Sequence, residues 1–230
     1  MGLRERVQKY TILSDCDGVH VRSVKPFTEA MNLELRKLGF IGDYEPKDNL
    51  YFEWAYDEAL RVSDNNTVVA EGIKGLWYNP VVLALSPEDK GTKLAFYLCH
   101  LIGFNLEVFT SRPPECDLAT ILWHSQHLPW LELSKTNIRE NHDIDGDAFK
   151  DGVIRGLRPD IVFDDDGRVI RRVIRMGIND PSLNTESRLV SRPWNQGDVD
   201  LRDRLVSPGL PIFGAIARNF TFKLWSRTKG

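Results

Sequence analysis

The chain has 230 residues, 42% of them hydrophobic and 27% charged, with a formal net charge of −3 at neutral pH. That is enough apolar material for one substantial core and a small subdomain, and the acidic balance argues against a general nucleic-acid-coating role while leaving room for a local basic patch. No apolar run reaches the ~18 residues expected of a spanning helix, no signal-peptide pattern precedes the first strand, and the three cysteines (Cys16, Cys99, Cys116) have no CxxC or metal-ligand spacing, so a reduced, cytoplasmic setting is expected.

The first element is a strand, Tyr10-Thr11-Ile12-Leu13-Ser14, which empties into Asp15-Cys16-Asp17-Gly18. Two carboxylates at the exit of a buried strand are costly unless a cation or a proton compensates them, so the segment suggests a divalent metal and a reacting group. Taken alone it reads equally well as a strand closing in an Asp-Gly turn. Cys16, between the two acids, reads as a packing residue.

Lys25 to Gly39 and Asp48 to Val62 carry apolar residues at helical spacing, and Pro87 to Gly103 is a third helix closing at a glycine. About ninety residues separate Asp17 from Thr110, far more than one crossover needs, which predicts a cap inserted between the first two core strands. The cap is expected to be mainly helical and to occupy 23–103, leaving a core of 1–22 and 104–200. Its aromatics, Phe52, Trp54, Tyr56, Trp77 and Tyr78, read either as cap core or, for Trp54 and Trp77 in particular, as a face on which a substrate ring stacks.

A second short strand, Asn105 to Thr110, ends in Thr110-Ser111-Arg112, two hydroxyls and a guanidinium. Asp117 to Leu128 is predicted to be a core helix. His124 and His127 lie three apart on it with no third ligand in view, and neither His20 nor His100 has zinc-site spacing. Lys150 stands at the front of a helix over 151–157, with Lys135 as its rival. The third strand, Asp160 to Phe163, runs into Asp164-Asp165-Asp166-Gly167, followed by a helix over 168–176. Three strands that each end in phosphate- or metal-suited residues fit an open α/β sheet, in which ligands bind outside the carboxyl ends of the strands. Past Pro208-Gly209-Leu210-Pro211, the C-terminal tail within 201–230 is basic and amphipathic. Such a tail either docks on its own domain or meets an anionic membrane surface or a partner.

The order of acid pair, hydroxyl, lysine and acid pair resembles the four motifs of the haloacid dehalogenase (HAD) superfamily of phosphatases and phosphotransferases. In detail the chain is similar to the C-type 5′-nucleotidases (deoxyribonucleotidases) and to the phosphatase domain of polynucleotide kinases. The likeness is carried by Asp15-x-Asp17-Gly18-Val19, Phe109-Thr110-Ser111-Arg112, Asp164-Asp165 with Met176-Gly177-Ile178, and Arg192-Pro193-Trp194-Asn195. It spans roughly residues 10 to 196.

The resemblance implies a HAD-like Rossmannoid parallel sheet flanked by helices, with the cap after its first strand. It implies Asp15 as a nucleophile forming an aspartyl-phosphate and Asp17 as general acid and base. Thr110 would donate to a phosphoryl oxygen, and Lys150 would neutralise phosphate and nucleophile, with Ser111 and Arg112 on the substrate. Mg²⁺ would be held by Asp15, the Asp17 backbone carbonyl and an acid of the third strand, with Asp165 as the direct ligand and Asp164 in support. Asp166 stands where related nucleotidases often carry arginine. The activity implied is hydrolysis of small phosphomonoesters, nucleoside monophosphates first. The alternatives are a 3′-phosphatase on nucleic-acid ends or a regulatory module that keeps the fold without the chemistry.

Overall fold

The computed structural model describes residues 2–40, 44–45, 52–141 and 143–226, and within it the side chains of 52–54 are left out of the description. Six strands form one sheet in the order β3-β2-β1-β4-β5-β6, every neighbouring pair parallel. They are β1 (Thr11–Asp15), β2 (Asn105–Thr110), β3 (Thr136–Ile138), β4 (Ile161–Asp164), β5 (Glu186–Val190) and β6 (Leu205–Val206). The register sets Asp15 opposite Phe109 and Ser14 opposite Phe163, so the strands that carry the acids and hydroxyls finish together at one edge.

A parallel sheet must be covered on both faces, and the alternation along β1 shows how. Ile12 faces a cluster with Leu106, Val108, Ile161 and Phe163. That layer is closed by α6 (Lys90–Ile102), α7 (Asp117–His127) and α10 (Leu210–Ser226), through Phe96, Trp123, Ile212 and Ile216. Leu13 faces the other way, with Phe109 and Val162, onto α8 (Gly146–Leu157) and α9 (Gly167–Asn179) through Ile154, Val173 and Met176. The N-terminal α1 (Leu3–Lys9) adds Val7 to the first layer.

The predicted insertion is helical: α2 (Val24–Lys37), α3 (Phe52–Val62), α4 (Thr67–Gly75) and α5 (Pro80–Leu85). These helices share a cluster of their own, in which Phe27, Met31 and Leu35 meet Ala55, Ala59, Ala70, Ile73 and Val82. The expected cap boundary at residue 103 shifts, because Ala95, Phe96 and Cys99 of α6 lie in the cluster of the sheet. The helix at Pro87–Gly103 is therefore a core helix. Its glycine end is as expected, with Gly103 in the left-handed region at φ 95°, which glycine adopts without steric cost.

The C-terminal segment is docked. Ile212, Ala215 and Ile216 join the core, the Tyr10 hydroxyl donates to Asn219 Oδ1 at 2.5 Å, and Lys223 pairs with Asp160 at 2.9 Å. Among the described residues no helix is long and apolar enough to cross a membrane.

Candidate active site

The loop leaving β1 is built around a tight approach. Gly18 has φ 67°, and a Cβ placed there would lie 2.1 Å from the Asp165 carboxyl carbon. Only glycine lets the β1 loop and the end of β4 come this close, which is the physical content of Gly18 after the acid pair. The loop is closed from within by Cys16, whose carbonyl accepts from His20 N at 2.9 Å and Val21 N at 2.9 Å. Cys16 is buried in the core, and burial pushes its thiol up, so it is a packing residue and no nucleophile.

Asp15, Asp164 and Asp165 converge at the ends of β1 and β4, each offering an oxygen within 4.8 Å of the others. Lys150, from α8, reaches into them at 2.9 Å from Asp15 Oδ1 and 2.9 Å from Asp164 Oδ2. Lys135 is elsewhere, bonded to Glu107 at 3.1 Å and Asn105 at 3.0 Å. Burial lowers the Lys150 ammonium, but Asp15 and Asp164 outweigh it and hold it above its ordinary range, so the lysine stays charged.

Three carboxylates share that one cation. Burial pushes Asp15 well above the carboxylate range; Lys150 pulls it back, and Asp164 and Asp165 raise it further. Asp165 is pushed up to about 7 by burial and by Asp164. This excess of buried negative charge fits a hard divalent cation, which prefers carboxylate oxygens. Both oxygens of Asp164 are engaged, Oδ2 by Lys150 and Oδ1 by the Asp166 N–H at 2.8 Å. Asp165 has only Oδ2 bonded, by the Trp194 indole N–H at 2.8 Å. Asp166 does a different job, capping α9 through Arg168 N at 2.8 Å and pairing with the Arg168 side chain. Its carboxyl is pushed up by burial, but those Arg168 bonds outweigh burial and hold it below the ordinary range.

Two hydroxyls were expected at the phosphate, and the structure separates them. Thr110 is buried at the end of β2, its Oγ1 accepting from Arg112 N at 3.3 Å, whereas Ser111 lines the cleft above Asp15. Arg112, expected on the substrate, grips Asp17. Its Nε donates to Asp17 Oδ2 at 2.7 Å, its Nη2 donates to Oδ1, and its buried Nη1 has no hydrogen-bond partner. Asp17 is thus turned into a bidentate pair in this state, with one orphan N–H left on the guanidinium.

The cleft holds about 210 Å³ and is lined by Asp15, Asp17, Ser111, Lys150 and Asp165, with Trp77 and Tyr78 of the cap and Trp194 of the core around them. Trp77 is also a packing residue, its ring 4.9 Å from that of Phe27 in an edge-on contact. Trp54 falls among the side chains left undescribed. His124 bonds Thr136 and His127 bonds Glu88, so the two histidines of α7 do not form a shared metal site.

The sequence flagged Arg192-Pro193-Trp194-Asn195 without giving it a role, and the structure makes it the scaffold of the site. Arg192 donates to the carbonyls of Gly18 and, at 3.0 Å, Val19, and to Asp89 Oδ2 at 2.8 Å. Asn195 Nδ2 donates to the Asp165 carbonyl at 2.9 Å and to the Val190 carbonyl at 2.7 Å. One short stretch therefore fixes both acid-bearing loops. Asp89 carried no signal beyond its position at the start of a helix, where it caps α6.

Comparison with solved structures gives the fold. A candidate phosphoglycolate phosphatase from Lactobacillus delbrueckii subsp. bulgaricus superposes with a TM-score of 0.63 at 14% identity, covering 91% of this chain and 98% of its own. A HAD-family hydrolase from Deinococcus radiodurans, solved with bound phosphate and sodium, gives 0.59 at 11% identity over 92% and 97%. The chain has the HAD-like fold. A beta-phosphoglucomutase from Clostridium difficile gives 0.51 at 15% identity over 93% and 98% of the two chains. No protein-family profile matches the sequence, and no curated protein resembles it. In this sheet the acid cluster and Ser111 stand at the carboxyl ends of β1, β4 and β2, and Lys150 reaches the acids from α8.

Proposed function

We propose that the protein is a Mg²⁺-dependent phosphomonoester hydrolase that works through an aspartyl-phosphate on Asp15, with nucleoside monophosphates as its substrates. The observation that carries this reading is Asp15 itself, nearly inaccessible, paired with Lys150 at 2.9 Å and set beside Asp164 and Asp165 at the floor of a cleft walled by aromatic rings. Asp15, Asp165 and, in support, Asp164 would hold the metal, which supplies charge neutralisation as a dianionic ester meets a carboxylate.

Lys150 stabilises the ionised nucleophile and the phosphoryl oxygens, and Ser111 donates a hydrogen bond from the cleft wall. Asp15 Oδ attacks phosphorus, the P–O bond to the leaving group breaks, and Asp17 gives its proton to the departing oxygen. In the second half Asp17 takes a proton from water, whose oxygen attacks phosphorus and returns Asp15 as a carboxylate. To do either, Asp17 must release at least one of the two hydrogen bonds from Arg112. The guanidinium then has further N–H groups for the phosphate or the leaving group. The cap rings Trp77 and Tyr78 support the nucleotide assignment, because a base stacks on aromatic faces without regard to its sequence identity.

The deciding experiment is a screen of nucleotides, sugar phosphates, phosphoglycolate and 3′-phosphorylated oligonucleotides, with and without Mg²⁺. Highest kcat/KM on nucleoside monophosphates, abolished by chelation, is the expected result. Turnover only of sugar phosphates or phosphoglycolate would remove the nucleotide while keeping the hydrolase. No turnover of any ester would remove both.

A further inference from the structure

A second cleft of about 550 Å³ opens beside the first and shares Gly18, Val21, Val24 and Trp194 with it. It is larger than the catalytic cleft and falls in the size range of ligand sites. Pro87, Pro193 and Pro208 give it flat, rigid walls, and the Trp194 ring stands at the junction. Its charged lining residues are Arg22, Lys25 and Arg192, and among the described residues no carboxylate lines it. The catalytic floor is the reverse, three acids around one lysine.

The cations of the second cleft are incompletely offset. Arg192 is wholly committed inward, to Gly18, Val19 and Asp89. Asp89 Oδ2, which receives Arg192 at 2.8 Å, is also the partner of Arg22, whose Nε lies 3.4 Å away. One carboxylate thus serves two guanidiniums, and burial has not made it neutral: the Thr92 N–H and Arg192 hold Asp89 below the ordinary carboxylate range against the pull of burial. Arg22 keeps 64% of its side chain exposed, and Lys25 has only Glu29 at 3.8 Å, both members of that pair well exposed. The rim is left with positive charge facing solvent.

We infer that the second cleft is the leaving-group subsite, and that it takes a substrate whose body carries a second anionic group beyond the scissile phosphate. This rests on the hydrolase reading of the Asp15 site. With the scissile phosphate at Asp15 and the base at the cap rings, the arm of the ester that bears the second anion passes Trp194 into the proline-walled cleft and meets Arg22 and Lys25. A nucleoside bisphosphate has this chemistry; a nucleoside monophosphate leaves the cationic rim unused. Charge complementarity together with the continuity of the two clefts through Gly18 and Trp194 selects this occupant over an apolar one.

The test measures binding and so does not depend on turnover. Equilibrium dialysis with Mg²⁺ compares adenosine 5′-monophosphate with adenosine 3′,5′-bisphosphate on Asp15→Asn protein, which cannot consume either ligand. The bisphosphate should bind at least about tenfold more tightly, the scale of one charge-assisted contact. Adding Arg22→Glu and Lys25→Glu should collapse that ratio to near one. Should the doubly altered protein fail to fold by thermal melting, Lys25→Ala, which disturbs only an exposed pair, should still lower the ratio. Equal affinities at the outset overturn the subsite, and so does a preference that survives the charge changes. Failure of the parent protein to hydrolyse any phosphomonoester would defeat the hydrolase reading by a separate measurement and leave the binding ratio to stand or fall alone.

Discussion

The floor of the cleft and its cap wall are made in opposite ways. On the floor, Asp15 and Asp164 end the neighbouring strands β1 and β4 and are joined by Lys150 of α8, all three buried, so each is fixed by hydrogen bonds as well as by packing. On the cap wall, Trp77 and Tyr78 come from one short 3₁₀ turn, and Trp77 is held by apolar contact with Phe27 in a cluster separate from that of the sheet. The floor can be rigid because its charges leave it one low-energy arrangement. The cap can change residues, and with them its ligand, without touching the chemistry.

The largest effect expected from this contrast lies on the floor. Asp15→Asn should cut turnover by at least about 10⁴-fold, since an amide cannot attack phosphorus. The same change should leave the metal-free fold as stable as before or more so, because it removes one of three crowded carboxylates whose ionisation burial already opposes. Single-turnover kinetics with a parallel thermal melt checks both, and a variant that hydrolyses at the parent rate would end the nucleophile assignment.

Lys150→Met comes next and should damage both stability and rate. It leaves Asp15 and Asp164 buried without their cation, and breaking a buried pair from one side costs roughly 3 kcal/mol or more. Chemical denaturation at neutral pH reads this. Partial recovery at lower pH, as the stranded carboxylates take up protons, would distinguish lost charge pairing from lost packing.

Arg112→Lys is the intermediate case, because it breaks the fork on Asp17 while keeping the charge. Once Asp17 is released, a lysine cannot present the planar N–H fork to the phosphate or the leaving group, so kcat should fall by about ten- to hundredfold. An unchanged kcat in steady-state kinetics would show that the Arg112 fork has no part in the reaction.

The contrast also explains what was legible in the sequence. Asp15, Asp17, Asp164 and Asp165 could be read because strand ends in an α/β sheet converge and charged residues next to apolar runs stand out, whereas Lys150, on a helix, was picked out over Lys135 only by the resemblance. The helices of the insertion could be read from their periodicity. The boundary of the cap could not, since the apolar face of α6 has the same pattern whether it meets the cap or the sheet. β3 and β6 went unread because they are only three and two residues long, and β5 because Glu186-Ser187-Arg188 resembles a surface loop until its neighbours are known. The exchange of partners between Thr110, Ser111 and Arg112 depends on backbone direction after β2, which composition does not encode. Trp194 was visible as a motif, and its hydrogen bond to Asp165 was not, because the two meet only through the fold.

On the cap wall, Trp77→Ala should raise KM for a nucleoside monophosphate by about tenfold, in keeping with ~1–3 kcal/mol per stacked base. Hydrolysis of a small aryl phosphate should change much less. Equal losses on both substrates would return Trp77 to the structural role that its contact with Phe27 already gives it.

The smallest effect on turnover is expected away from both walls, where His20 sits in the core beneath the acid loop. Its ring lies 4.7 Å from Phe96, and neither ring nitrogen has a hydrogen-bond partner. Burial, reinforced by His124, lowers its pKa to about 3. The unfolded chain takes up a proton on this side chain below about pH 6.5, while the folded chain refuses it until about pH 3. At His20 protons therefore favour the unfolded state, and its contribution to stability should decline as pH falls from about 6.5 toward 3. Asp165, pushed up to about 7 in the fold, works in the opposite sense over the same window. Carboxylates such as Asp89, held low in the fold, add a loss of their own only nearer the bottom of that range. His20→Phe keeps the ring packing on Phe96 and removes the titration, so its unfolding free energy should fall less steeply between pH 6.5 and 4.5 than that of the parent protein. Denaturant titrations at several pH values would show the two curves converging toward neutrality from above or below by a constant packing offset. Parallel curves through the whole window would mean that His20 is hydrated and protonates in place, and that the acid loop above it tolerates a charge in the core.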